Sequence, residues 1–187
     1  MTTADLLIVA GGSAARLAGA DKALLRGPDG RTVLDRLVAA PVAGRRIVVG
    51  ATRDTAGVDV WAREQPAGGG PVAGLAAGLA HVVAPTVVLL AGDLPHAAAA
   101  VPALLDALAG HDAAVVEADG RTQWLLAAWR ADALRAALAR LGDPVGARVG
   151  ALYDDVDLVR VAAGPRWADD LDTPADVRRV LGRSALR

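Results

Sequence analysis

A chain of 187 residues that is 53% apolar and 22% charged is long enough and apolar enough to close one core, and residues 1–187 read as one domain. Its 20 basic and 21 acidic residues leave a net charge of −1, so no overall field draws it to nucleic acid or to an anionic membrane surface, and any phosphate site must be local. The absence of cysteine excludes disulfide frameworks, thiolate metal sites and thiol catalysis together.

The opening stretch, MTTADLLIVAGG, has an acidic residue before a short apolar run and no basic segment, which predicts no secretory leader. No apolar run reaches the ~20 residues of a bilayer span, so a cytoplasmic location is expected. Short β-branched runs at 6–10, 45–51, 86–93, 113–118, 124–129 and 157–162 predict strands. Between them, Ala/Leu/Arg stretches of helical period predict helices at 31–40, 71–83, 97–109, 130–141, 144–153 and 173–183. Near-continuous apolar strands separated by helices predict an α/β three-layer sandwich around a mostly parallel sheet. In such sheets ligands gather beyond the carboxyl ends of the strands. The loops AGGSAARLAGADK, AGDLP and DDLDTPAD stand at such ends.

Gly11 and Gly12 follow the first strand directly, where residues without Cβ let backbone amides approach a phosphate or merely make a tight turn. The spacing fits neither the dinucleotide fingerprint nor a P-loop. Arg16 and Lys22 follow within a dozen residues. Arg offers a planar fork to phosphate oxygens, and Lys is a point charge able to track charge on a leaving group. Lys22 is the chain's one lysine beside nineteen arginines, which suggests a requirement that Arg does not meet.

Asp93, after VVLLAG, should emerge at the sheet's carboxyl edge, either as a ligand for Mg²⁺ beside a triphosphate or as the N-cap of the helix near His96. Thr173, Pro174 and Asp176 read as N-cap, first helical residue and capping-box partner. Asp170 and Asp172 alternate on an extended stretch and point the same way. They need a cation or a raised pKa, and the neighbouring sequence offers only Arg166. The three histidines, His81, His96 and His111, are too scattered for a metal cluster.

These motifs together resemble the nucleotidyltransferases that attach a nucleotide to molybdopterin, whose glycine loop is close to LAGGxxxRMGxxK. VAGGSAARLAGADK keeps Ala10, Gly11, Gly12, Arg16, Gly19, Asp21 and Lys22, with Val9 for Leu and with Leu17 and Ala18 where Met and Gly are usual. GPVAGL (70–75) is similar to the family's GPLAGL, GDLP to its GDxP, and DLDTPAD to its DxDTPED, with Ala175 for Glu. RTQWLLAAWR is similar to the family's QPLLALYR, with Gln123 kept and Trp124 for Pro, and Thr52 stands where many relatives carry Asn.

The resemblance implies a Rossmann-like nucleotidyltransferase fold and transfer of GMP from GTP to the terminal phosphate of molybdopterin, with pyrophosphate released. It implies catalysis by Arg16, Lys22 and Asp93. The nucleotide would lie against Val9, Ala10, Gly11, Gly12, Lys22, Glu64, Gly70, Pro71 and Asp93, and Mg²⁺ would sit on Asp93 with Asp170 or Asp172. Trp124 could stack on the pterin or fill core. Implied partners are the small-molecule substrates GTP and molybdopterin and other proteins of molybdenum cofactor biosynthesis or use, with a monomer or weak oligomer expected. Alternatives are a cytidylyltransferase, a sugar-1-phosphate nucleotidyltransferase, and a GTP-binding regulator without turnover.

Overall fold

The computed structural model describes residues 3–11, 16–17, 20–65, 67–182 and 185. Strand β1 (Ala4–Val9) is followed by a two-stranded hairpin, β2 (Arg16–Leu17) and β3 (Ala20–Asp21), and by a 3₁₀ turn over Lys22–Leu24. Helix α1 (Val33–Val38), strands β4 (Arg46–Val49) and β5 (Val60–Ala62), helix α2 (Pro71–Leu79) and strand β6 (Thr86–Ala91) come next. Then follow α3 (Val101–Ala107), β7 (Ala113–Ala118), β8 (Arg121–Arg130), α4 (Ala131–Leu141), β9 (Leu158–Ala162) and α5 (Pro174–Val180).

Seven strands form one sheet in the order β5-β4-β1-β6-β8-β7-β9, parallel except for β8, which runs against both its neighbours. Two apolar layers cover it. Leu6, Ile8, Val88 and Leu90 face α1, α3 and α5, while Leu7, Val49, Val87 and Leu89 face α2 and α4. Successive residues of β1 and β6 thus serve opposite layers, which is why these strands read as continuous apolar runs. The expected three-layer α/β sandwich with a mostly parallel sheet is the observed architecture. No helix among the described residues is long and apolar enough to cross a membrane.

The structure departs from the expected elements in two places. The stretch 144–153 is not a helix: it is a loop ending in a 3₁₀ turn at Val149–Tyr153, because Pro144, Gly146 and Gly150 interrupt any helical run. Strand β5 is an addition, three residues paired to β4. Between β7 and β8, where no helix is expected, none is found. They form a hairpin through Asp119 and Gly120, both at positive φ (50° and 71°), as a type I′ turn requires.

Asp5 fixes the opposite end of the sheet. It is 1% exposed, and its carboxylate accepts from the backbone N–H groups of Arg45 (2.8 Å), Val83 (2.7 Å) and Ala84 (3.0 Å), so two chain segments are tied to the start of β1.

Candidate active site

The strand order reverses between β1 and β6, since the chain passes from β1 outward to β4 and β5 and then returns to β6 on the other side. A crevice opens at the carboxyl ends of such a pair. Val9 and Ala91 are register partners there, Ala10 N donates to Val49 O (2.9 Å), and Gly92 N donates to Val9 O (2.9 Å). Gly92 has to lack a side chain, since a Cβ would lie 2.7 Å from Ala10 Cα. This close approach brings Asp93 beside the exit of β1. Asp93 caps no helix: the 3₁₀ turn at Ala97–Ala100 is preceded by His96 and has no side-chain cap.

Lys22 is 4% exposed. Its Nζ lies 2.8 Å from Asp172 Oδ1 and 3.7 Å from Asp93 Oδ2. A buried ammonium persists only when paired, and Asp172, with a side chain 66% exposed, carries this pair out to water. The sequence offered only Arg166 as a cation near the acidic pair, and the structure corrects this. Arg166 bonds Asp169 (3.0 Å), whereas the partner of Asp172 is Lys22, 150 residues earlier.

Leu171 is fully buried, so Asp170 and Asp172 on either side of it face away from the core, and both line the larger of two pockets. Burial, followed by the charges of Asp172, Asp176 and Asp93, holds the Asp170 carboxyl above its ordinary range, with Arg179 acting the other way. Thr173 caps α5 in a reciprocal box with Asp176, as its sequence predicts.

The smaller pocket, about 500 Å³, is lined by Val9, Gly11, Glu64, Gly70, Pro71 and Asp93, with Gly68 and Gly74 among the others. Glu64 is 9% exposed and accepts from Gly68 N through Oε1 (3.1 Å), which shapes the glycine turn leading to Gly70 at φ 90° and to Pro71 at the start of α2. A recess of about 60 Å³ joins Val9, Ala10 and Gly11 to Lys22 and Asp93. Gly12, Ala18 and Gly19 lie outside the described residues, and of Arg16 only the backbone is described, paired with Asp21 in the small hairpin.

The larger pocket, about 730 Å³, takes Asp93, Asp170 and Asp172 on one side and Gln123, Trp124 and Arg148 on the other. The register of β7 against β8 shifts between Val115 and Val116, dropping Trp124 to Leu126 out of that pairing. Bulges of this kind re-aim side chains next to sites. Trp124 is half-buried, 4.7 Å from the Tyr153 ring, whose hydroxyl donates to Trp124 O (2.6 Å) and accepts from Trp129 Nε1 (3.0 Å). The indole is thus both packed against core and part of the pocket wall. Ala91, Asp93 and Leu125 line both pockets.

Sequence reasoning missed two cations. Arg148 sits in the stretch expected to be helical. Arg53 follows β4 in GATRDT, a strand end that could have drawn notice by the same rule that found Asp93.

Among the described residues, no three His, Cys, Asp or Glu side chains come together as a ready-made metal cage. The carboxylates around the larger pocket are oxygen donors, the type Mg²⁺ and Mn²⁺ take when one or two protein ligands are completed by substrate phosphates and water.

Residues 6–156 match the MobA-like NTP transferase domain family. The chain is 35% identical over 176 residues to the molybdenum cofactor guanylyltransferase of Acidiphilium cryptum (strain JF-5), covering 89% of this chain and 85% of that protein. Among solved structures it is similar to Rv0371c of Mycobacterium tuberculosis H37Rv in complex with manganese (24% identity, TM-score 0.71, 96% of this chain and 98% of that one). It is also similar to the 2-C-methyl-D-erythritol 4-phosphate cytidylyltransferase of Thermus thermophilus (19% identity, TM-score 0.73, the whole of both chains). With Gly11 and Lys22, the strand-end aspartate and the late acidic segment gathered on one crevice of a Rossmann-like sheet, the chain belongs to the MobA-like NTP transferase family and is a nucleotidyltransferase.

Proposed function

We propose that this chain transfers GMP from GTP to the terminal phosphate of molybdopterin. The observation that carries the proposal is the pair of pockets that share Asp93: one is walled by glycines and Glu64, the other by an indole, an amide and a guanidinium. A nucleoside triphosphate in the first and a phosphorylated planar acceptor in the second would meet at that carboxylate. The similarity to the Acidiphilium guanylyltransferase supports guanine and molybdopterin as the two halves.

In the reaction, an oxygen of the acceptor phosphate forms a bond to the α-phosphorus as the bond from that phosphorus to the β-phosphate oxygen breaks, and pyrophosphate leaves with the electron pair. Two anions must approach, so positioning and charge neutralisation supply most of the rate. The Gly11 amide edge and the Gly70–Pro71 turn hold the nucleotide, and Glu64 accepts from the base. Arg148 pairs with the acceptor phosphate, and Gln123 and Trp124 orient its ring. Lys22, already within 2.8 Å of Asp172, supplies positive charge to the departing pyrophosphate, with Arg16 beside it by family likeness.

Asp93 and Asp170 would hold a divalent cation, with Asp172 as an alternative to Asp170, and such an ion withdraws charge from the phosphate oxygens. The manganese complex of the mycobacterial relative supports a divalent ion of this class, and Mg²⁺ is the ion proposed here.

The likeness of fold to a cytidylyltransferase favours CTP as the second reading. A nucleotide panel, with pyrophosphate release measured with and without molybdopterin, tests both. Turnover with GTP only, dependent on molybdopterin, is expected. Turnover with CTP in preference would overturn the guanine assignment, and nucleotide binding without product would favour a regulator.

A further inference from the structure

Arg53 lines neither substrate pocket, yet its side chain is only 6% exposed. A guanidinium so far removed from water is retained where its donors are matched. All three nitrogens are used here. Nε donates to Asp21 Oδ2 (2.8 Å), Nη1 to Ala51 O (2.9 Å) and Nη2 to Ala10 O (3.0 Å). Ala10 is the last residue before the glycine pair, and Asp21 is the residue before Lys22. One rigid fork therefore grips both sides of the neck of segment 11–20. The other oxygen of Asp21 accepts from Ala23 N (3.1 Å) and caps the 3₁₀ turn that Lys22 begins. The line of bonds runs from the exit of β1 through Arg53 and Asp21 to the turn that aims the Lys22 ammonium at Asp172.

We infer that Arg53 is a positioning residue for transfer: a clamp across the neck of the glycine loop that fixes the Gly11 backbone and the Lys22 ammonium relative to each other. The inference rests on the reading above only in that both ends of the clamp serve a triphosphate. It also accounts for the unequal use of the two cations. At position 53 a carboxylate and two carbonyls lie in different directions, which a planar fork meets and a single ammonium does not. At position 22 two carboxylates converge on one point, which suits an ammonium.

A merely structural arginine would stabilise the loop whatever stands at position 22, so the test is a double-mutant cycle on the full chain. Turnover with GTP and molybdopterin, GTP affinity by calorimetry and thermal melts are measured for Arg53→Met, Arg53→Lys, Lys22→Met and the Arg53→Met/Lys22→Met double variant. Arg53→Met is expected to lose about 100-fold in kcat/KM, the scale of a misplaced catalytic group. Arg53→Lys should recover part of this, since it can pair with Asp21 without spanning both carbonyls. In the Lys22→Met background Arg53→Met should cost no more than about threefold further, because the two act through one line of bonds.

Equal losses in the two backgrounds would overturn the inference, as would wild-type turnover in Arg53→Met. If Arg53→Met fails to melt cooperatively, Asp21→Asn replaces it in the same cycle, since the amide keeps the acceptor toward Ala23 and loses the charged partner of Arg53. Should the panel select another nucleotide, the cycle is run with that one, so failure of the guanine assignment and failure of the clamp are separate outcomes.

Discussion

Lys22 shows how a single residue choice is explained by packing. Its ammonium is almost wholly removed from water and faces Asp172 at contact and Asp93 a little farther off, so its surroundings supply most of the charge balance that burial demands. The two late aspartates that looked equivalent along the chain are therefore not equivalent. Asp172 neutralises a buried cation, while Asp170 is crowded by Asp172, Asp176 and Asp93. Asp172→Asn should lower the melting temperature at neutral pH by leaving the ammonium with a weaker partner. Asp170→Asn should leave it unchanged or raise it, since the amide removes a charge its setting disfavours. Melts of the two variants side by side check this, and matching shifts would show that the pair is an undifferentiated solvated edge. The common direction of these carboxylates was legible because Leu171 between them is apolar and buried. Their cation was not, because only folding brings residue 22 to residue 172.

The elements that could be read were those whose pattern is local. Continuous apolar runs gave β1, β6 and β7, and Thr173, Pro174 and Asp176 gave the start of α5 down to its reciprocal cap. Strand β5 was not legible, because Val60–Ala62 is too short to show alternation and depends on pairing with β4. In 144–153 the apolar spacing is helical but Pro144, Gly146 and Gly150 override it, and Asp119-Gly120 carries the turn chemistry that closes the β7–β8 hairpin. Helix α5 also carries a testable pH dependence. Hydrogen bonds from Thr173 and Arg179 hold Asp176 below its ordinary value of 3.8; for Asp169 burial pushes upward, but the bonds from Arg166 and Arg179 outweigh it and leave it low too. Carboxyls depressed in the folded state contribute stability that is present above their unfolded pKa and is lost as pH falls through the folded one. Arg179→Gln should therefore lower the melting temperature at neutrality by a small amount, since these pairs are exposed, and converge on the wild type as pH falls below about 4, which flattens the acid limb. An unchanged acid limb would remove Arg179 from this account.

At the scale of the whole molecule, the reversal of strand order between β1 and β6 puts two pockets side by side and makes Asp93 part of both walls. Gly11, the Gly-Pro turn and the acidic segment come from distant parts of the chain, and they meet because each follows a strand or opens a helix at the same edge of the sheet. In the proposed function a carboxylate at that junction would hold a divalent ion, and it also contributes to the charge around Lys22. These two roles predict different behaviour on Asp93→Asn. The amide keeps shape and hydrogen-bonding capacity and loses the charge that binds a hard cation. Turnover in Mg²⁺ is expected to fall on the order of 100-fold, while metal-free GTP, which meets one negative charge fewer, should bind as well as to the wild type or better. Calorimetry with GTP in chelator, set beside pyrophosphate release in Mg²⁺, measures both. If both fall together, Asp93 acts mainly by holding Lys22 in place; if only turnover falls, its charge acts through the divalent ion.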